Sequence, residues 1–482
     1  MTSSDVPDSQ YFQSNSLKPL PKINLLTMFR LGLFQMGLGI MSLLTLGVLN
    51  RIMIAELQIL PWIVAGAIAM HQLVSPTRIW FGQMSDAKRL FGYHRTGYVW
   101  IGAALFTTIS FVALQAVWQL GSSLQATGWS FATYGWAGLL ALIFALYGLA
   151  LSASSTPFTA LLVDVTDDDN RSQLVGVVWS MLMIGIVVGA VISSRLLASD
   201  PSQAAATSLE QLKATVNPVF IIMPAIVFGL ALLATMGIEK KYSRYSSRST
   251  FVEREDQITL GRALKVLTAS RQTGLFFSFL LVLTLSLFIQ DAVMEPYGGE
   301  VFGMSISETT KLNAYFGMGT LFGIASTGFF VLPRLGKQRS IKLGCILAAF
   351  CVGLFILAGL SSDRTLLKSG LLFFGLASGI LTAGATSLML DLTAAETAGT
   401  FIGAWGLAQA VSRALATIIG GTVLNAGKEM FSAPILAYGS VFVLQAIGFI
   451  LAILLLGRVN VKEFQDNAKV AIAQVMQGDL DG

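Results

Sequence analysis

Apolar runs of about twenty residues recur along nearly the whole chain, and no other feature narrows the choice of fold so sharply. A helix rises 1.5 Å per residue, so each run reaches across the roughly 30 Å hydrocarbon core of a bilayer. About twelve are readable, at 25–49, 57–81, 97–118, 133–161, 172–197, 218–236, 273–294, 312–331, 341–360, 366–390, 399–424 and 435–456. In lipid every backbone polar group must be satisfied inside its own segment, and runs this long without strict alternation fit helices rather than barrel strands. The balance of 54% hydrophobic and 12% charged residues, with mean hydropathy +0.71, is more apolar than a soluble core can absorb. The predicted fold class is an all-α polytopic membrane protein.

Residues 1–24 form a polar tail without the basic head and cleavage site of a signal peptide, so a cytoplasmic tail is expected there. Most of the 31 Lys and Arg fall in the even-numbered loops and tails, which places both termini in the cytoplasm. That asymmetry also accounts for the net charge of +5, so no nucleic-acid partner is expected. The lipid bilayer is. The two cysteines, Cys345 and Cys351, lie six apart in an apolar run and do not share a helix face, so neither a disulfide nor a metal site is expected.

The chain repeats itself. YGLA at 147–150 recurs as FGLA at 374–377, LLVDVT at 161–166 recurs at the same offset as LMLDLT at 388–393, and Gly176 and Gly403 keep the register. Six helices per half preserve orientation, so the halves are related by an axis along the membrane normal, as in the major facilitator architecture. The expected division is a helical bundle over 25–238, a basic cytoplasmic linker over 239–272 that reads as a solvated tether, with a surface helix near Leu260, Leu264 and Leu267 as the alternative, a second bundle over 273–457, and a cytoplasmic tail over 458–482.

Three groups of residues carry chemistry. GQMSDAKRLFGYHRTGY, from Gly82 to Tyr98, resembles the loop motif of the major facilitator superfamily through Gly82, Asp86, Arg89, Gly92 and Arg95, with a weaker counterpart at Gly336 and Arg339. With Asp164 and Asp391 at equivalent helix ends, these residues form a predicted conformational latch, silent on substrate. For the two aspartates, helix capping and gate ion pairs are the favoured reading, with proton translocation as the alternative. At hydrocarbon depth lie His71 with Gln72, Arg413 with Gln409, and Gln290 with Asp291. A lone guanidinium there is costly, so Arg413 is expected to pair with Asp291 or Glu295. Neutral His71 has the chemistry to ligate a chlorophyll magnesium, although a lone helical histidine is more often hydrogen-bonded to a neighbour. The third group is QDAVMEPYGGEVFG, 290–303, where three acids and a Pro-Tyr-Gly-Gly breaker close an apolar helix. It is expected to be a loop in which Pro296 and Gly298 turn Tyr297 and Glu300 toward a partner.

Residues 73–102 together with 290–312, and above all Glu-Pro-Tyr-Gly-Gly followed by Val-Phe-Gly, resemble the PucC/LhaA family, the photosynthetic branch of the major facilitator superfamily. The resemblance spans Leu25 to Leu456. Gly97 stands where the family pattern has proline, and the tails are individual, which bears on the branch (a cyanobacterial-type one is the expectation) rather than on the family. The resemblance implies a non-enzymatic factor of a thylakoid, intracytoplasmic or inner membrane. Such a factor assembles light-harvesting or photosystem subunits, delivers chlorophyll or bacteriochlorophyll as a non-covalent cofactor or shields nascent antenna helices, and works beside pigment-synthesis enzymes. The competing reading is a secondary transporter that alternates access, with Asp291, Glu295 and Arg413 as proton or substrate groups. No P-loop, nucleophile elbow or dinucleotide fingerprint is present to support an enzyme.

Overall fold

The computed structural model describes residues 23–166, 168–198, 209–243, 271–392 and 398–460. The linker around Leu260, with its alternative of a surface helix, and the C-terminal tail lie outside them. Twelve helical segments form the bundle among the described residues. The first half comprises α1 (Leu25–Glu56), α2 (Pro61–Leu73, the turn Ser75–Thr77 and Arg78–Ala87), α3 (Thr96–Thr127), α4 (Phe131–Asp164), α5 (Asp168–Leu196) and α6 (Val219–Thr235). The second comprises α7 (Arg271–Phe288, ending in the turn Ile289–Ala292), α8 (Ile306–Ser326), α9 (Lys337–Ser361), α10 (Arg364–Leu392), α11 (Ala398–Met430) and α12 (Pro434–Arg458). Ten helices among the described residues are long and apolar enough to cross a membrane by themselves. The other two have readable defects: Pro76 breaks α2, and α8 carries Glu308, Lys311 and Asn313 in its first turns. The protein is an integral, multi-pass membrane protein.

Local chemistry sets the helix ends. Asn24 accepts from the Thr27 amide at 2.9 Å to start α1, and Asp363 does the same for Thr365 (2.8 Å) ahead of α10. Ser305 and Glu308 form a capping box that starts α8 at Ile306, six residues before the predicted 312. That Ser-x-x-Glu signal is present in the sequence and was not read. α1 runs past the predicted 49 to Glu56 because Asn50 and Arg51, at the start of that extension, find partners across the bundle.

Each half has its own apolar core. One centres on Leu44, Phe106, Trp118, Phe144 and Phe220, the other on Phe276, Tyr297, Phe355, Phe374 and Phe442. The helix pairings repeat: α1 against α5 and α6, α2 against α4, and α3 against α4 and α6 recur as α7 against α11 and α12, α8 against α10, and α9 against α10 and α12. This is the major facilitator fold of two six-helix pseudo-repeats. The matched motifs sit at matched contacts. A Cβ on Gly148 would meet the His71 backbone of α2 at 2.5 Å, and one on Gly375 would run into the Phe316 carbonyl of α8. Gly185 faces the Met36 backbone of α1, a close-packing role.

The halves meet along α2 with α11 and α5 with α8. Among the described residues four hydrogen bonds cross between them: Asn50 to the Ala292 carbonyl, Arg51 to the Glu295 and Met304 carbonyls, and Ser307 to the Ser194 carbonyl. All four lie at the end of the bundle away from the Gly82–Tyr98 loop. That end is called the far face below, and the opposite end the linker face.

Candidate functional site

Between the halves, four helices bring polar side chains to one chamber of about 50 Å³: Asn50 from α1, His71 and Gln72 from α2, Asp291 from the end of α7, and Arg413 and Thr417 from α11. The Nδ1 of His71 lies 2.5 Å from the Ile68 carbonyl, so it carries the proton and leaves Nε2 as an acceptor, which the Gln72 amide fills at 2.9 Å. The histidine is thus engaged at both nitrogens, and ligation of a metal would require Gln72 to swing away. Arg413 lies 4.1 Å over the Phe288 ring, its Nε has no acceptor, and it interacts electrostatically with Asp291. The expected Arg413–Asp291 neighbourhood is present without an ion-pair contact, and Gln409, one turn earlier on α11, lines neither this chamber nor the next.

A second chamber, about 100 Å³, lies on the other side of Leu46 and Asp291 and is bounded by Gln290, Glu295 and Asn313. Glu295 therefore faces away from Arg413. One carboxylate oxygen accepts from Asn313 at 2.5 Å; the other is buried without a partner, as is Oε1 of Gln290.

The segment after α7 corrects the expected docking loop. Residues Met294–Phe302 form a helix that plugs the far face. Tyr297 is fully buried, donates to the Phe355 carbonyl at 2.7 Å and stacks among Phe302, Tyr438 and Phe442. Glu300 is paired with Lys428 at 2.7 Å. Neither is presented to a partner: the aromatic ring gains by burial, the Lys428 ammonium offsets the desolvation of the Glu300 carboxylate, and Pro296 and Gly298 sit within the helix instead of bending a loop. Arg51, 4% exposed, anchors the plug: its guanidinium donates to the Met304 carbonyl at 2.9 Å and the Glu295 carbonyl at 3.3 Å and pairs with Glu56 at 2.8 Å. Gly299 makes room for it, since a Cβ there would occupy the guanidinium. The sequence reading missed Asn50, Arg51 and Asn313. The signal was available for Arg51, an arginine near the end of an apolar run with no nearby acid except Glu56.

At the linker face the predicted latch residues cluster. Arg95 bonds Asp86 (2.5 Å), Asp164 (2.9 Å) and Ser85 (2.5 Å). Burial works to lower the pKa of Arg95, and the Asp164 and Asp86 carboxylates outweigh it, holding it above the ordinary arginine value. Arg89 bonds His94 at 2.8 Å. Glu239, read as linker, takes the amides of His94, Arg95 and Thr96 at 2.6 to 3.2 Å, an acid on the positive end of α3. These contacts tie α2, α3, α4 and the chain beyond α6 within one half. Gly92 has φ +78°, as a tight turn requires, and a Cβ on Gly97 would strike the Leu90 carbonyl, which explains a glycine there. Gly82 differs from expectation: it lies inside the helical part of α2 with room for a side chain. The side chain of Asp391 lies outside the described residues.

The family model described as PUCC protein matches residues 48–464. The chain belongs to the PucC family. A relative from Rhodobacter capsulatus with the name Bacteriochlorophyll synthase 44.5 kDa chain is 30% identical over 89% of this chain and 94% of its own. Protein PucC of the same organism is 28% identical over 90% and 92%. Among solved structures, the nucleoside transporter NupG superposes with a TM-score of 0.64 at 13% identity, covering 90% of this chain and 98% of its own. A bacterial Spinster homologue gives 0.64 at 13%, covering 91% and 97%. At such identities these likenesses bear on the fold alone, which they share with this PucC-family chain.

Proposed function

We propose that this PucC-family protein is an assembly factor for chlorophyll-binding antenna or photosystem subunits, and that it holds (bacterio)chlorophyll or a precursor during handover. The observation that carries the reading is the family match over residues 48–464, with a relative whose name refers to bacteriochlorophyll. The chamber between the halves supplies a place for the polar part of such a cargo, with His71, Gln72, Asp291 and Arg413 around it. No catalytic step belongs to this reading. Pigment-synthesis enzymes would be suppliers, and the membrane a photosynthetic one with both termini cytoplasmic, as the distribution of Lys and Arg favours. The Arg95 network would then be a cytoplasmic latch.

One observation favours a second reading. All four described hydrogen bonds between the halves lie at the far face, the arrangement expected of one state of a protein that alternates access. Purification in mild detergent, followed by absorption spectroscopy and identification of co-eluting proteins, separates the two. Bound chlorophyll with antenna subunits supports assembly. A colourless preparation whose reconstituted vesicles accumulate a soluble compound refutes it in favour of transport.

A further inference from the structure

The chamber beside Glu295 offers hydrogen-bond acceptors with too few donors to meet them. Glu295 is 4% exposed and Gln290 3%; both line the chamber, and Oε2 of the one and Oε1 of the other are buried without a partner. The second carboxylate oxygen of Glu295 takes the Asn313 amide, which fixes the side chain in place. Gly47 on α1 makes room for it, since a Cβ there would run into the carboxylate. That glycine belongs to the π-helical stretch Leu43–Val48, a distortion of the kind that often marks a functional position. Charge is as uneven as hydrogen bonding. Asp291 also borders this chamber, but it shares the smaller one with Arg413, a cation to set against it. The guanidinium of Arg51 is spent on the backbone carbonyls of Glu295 and Met304 and on the carboxylate of Glu56. One carboxylate is therefore left over between apolar walls, together with an amide oxygen that has no donor, and such a pair is costly unless a positive charge joins it.

We propose that this chamber binds one small monovalent cation, a sodium or potassium ion, through Oε2 of Glu295 and Oε1 of Gln290, with Asp291 and the Ser42 hydroxyl on its rim. Hard cations take oxygen ligands, and one uncompensated carboxylate among neutral oxygens matches a single positive charge. A divalent ion calls for more carboxylates, and no group of three or more His, Cys, Asp or Glu able to hold a metal occurs among the described residues. A volume of about 100 Å³ admits the ion with part of its water shell. Ser42 donates to the Gly39 carbonyl at 2.9 Å, so its oxygen keeps lone pairs for the ion. Ser42 and Gly47 belong to the first half, and Gln290, Glu295 and Asn313 to the second, so the ion joins the halves beside the Arg51 contacts. The site is independent of what the protein carries.

The test uses the full chain in nanodiscs of uncharged lipid, with sodium or potassium chloride exchanged for choline chloride at constant ionic strength and pH. Thermal unfolding reports stabilisation by an ion that binds the folded state, and equilibrium binding of radiolabelled sodium, or of rubidium standing in for potassium, reports the site itself. The wild type is expected to gain stability saturably with one or both alkali ions and to bind a single ion per chain. Glu295→Gln, which keeps an oxygen for the Asn313 amide, should abolish both effects, and Gln290→Leu should weaken binding at least about tenfold. Binding to the wild type and to Gln290→Leu decides the matter if Glu295→Gln does not fold. Equal stability in all three salts without saturable ion binding overturns the site, as does an ion effect that neither variant changes. Stabilisation by acid in place of the alkali ions, lost in Glu295→Gln, overturns it in favour of a bound proton. None of these results touches co-purification of pigment or antenna subunits, so the cation site and the assembly reading stand or fall separately.

Discussion

Replacing Arg51 with alanine tests whether the far face is held shut by backbone-directed contacts. The substitution removes the 2.9 Å bond to the Met304 carbonyl and the 3.3 Å bond to the Glu295 carbonyl, both across the two halves. A hydrogen bond to a charged donor contributes about 1.5–3 kcal/mol, and the longer of these two counts for about half. The ion pair with Glu56 lies within the first half and its acid is 30% exposed, so it adds little to closure. The net loss is about 3 kcal/mol, on the order of a hundredfold in the balance between joined and parted far faces. Gln58, in the turn between α1 and α2, and Ser362, between α9 and α10, are solvent-facing positions on opposite halves suited to spin labels. Pulsed dipolar spectroscopy of the doubly labelled protein should show a new, longer distance in Arg51→Ala and an intermediate fraction in Arg51→Lys. A distance distribution unchanged by Arg51→Ala would refute the view that these bonds join the halves.

Gly299→Ala should act in the same direction on that distance pair, because its Cβ would claim the space of the guanidinium. Tyr297→Phe removes one buried hydrogen bond, to the Phe355 carbonyl, and should lower stability by about 1 kcal/mol in thermal unfolding while leaving co-purification of any client unchanged; loss of the client without loss of stability would restore a docking role. Glu239→Gln removes the negative charge at the start of α3 and should cost about 1–2 kcal/mol in the same assay, with Glu239→Asp costing less; equal stability of wild type and Glu239→Gln would mean that the three amides are satisfied without the charge.

The fold was legible because lipid leaves few alternatives. Run length and lack of alternation led to helices, and the shared offset of Tyr147–Ala150 and Phe374–Ala377 led to two halves, whose helix pairings do repeat. The site was legible in its residue types and not in its grouping. His71, Gln72, Asp291 and Arg413 stood out as polar side chains at apolar depth, and they share a chamber. Glu295 stood out for the same reason and faces the other chamber, because three residues before it the α7 helix ends in a tight turn and the direction of the next side chain is lost to sequence periodicity. Pro-Tyr-Gly-Gly was read as a loop from propensity alone. Tertiary packing overrode it: Pro296 falls in the first turn, where its missing amide costs nothing, and Gly298 and Gly299 lie where Thr309 and Arg51 leave no room for a Cβ.

Chamber size constrains how a pigment is carried. Cavities of about 50 and 100 Å³ hold water or a small polar group, whereas sites for drug-sized ligands run to roughly 300–1,000 Å³. With the far face closed, a tetrapyrrole ring therefore has no room beside His71, and only a substituent of it can reach Arg413. The ring would have to lie along the seam between the halves or against lipid, where exposed aromatic and branched side chains such as Trp80 and Phe322 are abundant and glycines leave shallow backbone surfaces. Handover then needs no passage across the bilayer: a cargo held by one polar group from the linker side and by its apolar body from the lipid side can leave sideways to an antenna helix. A transporter that moves a soluble compound has no use for that lateral path and must instead break the Arg51 contacts in every cycle. Locking the far face shut should thus leave pigment handover running and stop transport, and handover abolished by such a lock would argue that the cargo crosses the bundle after all.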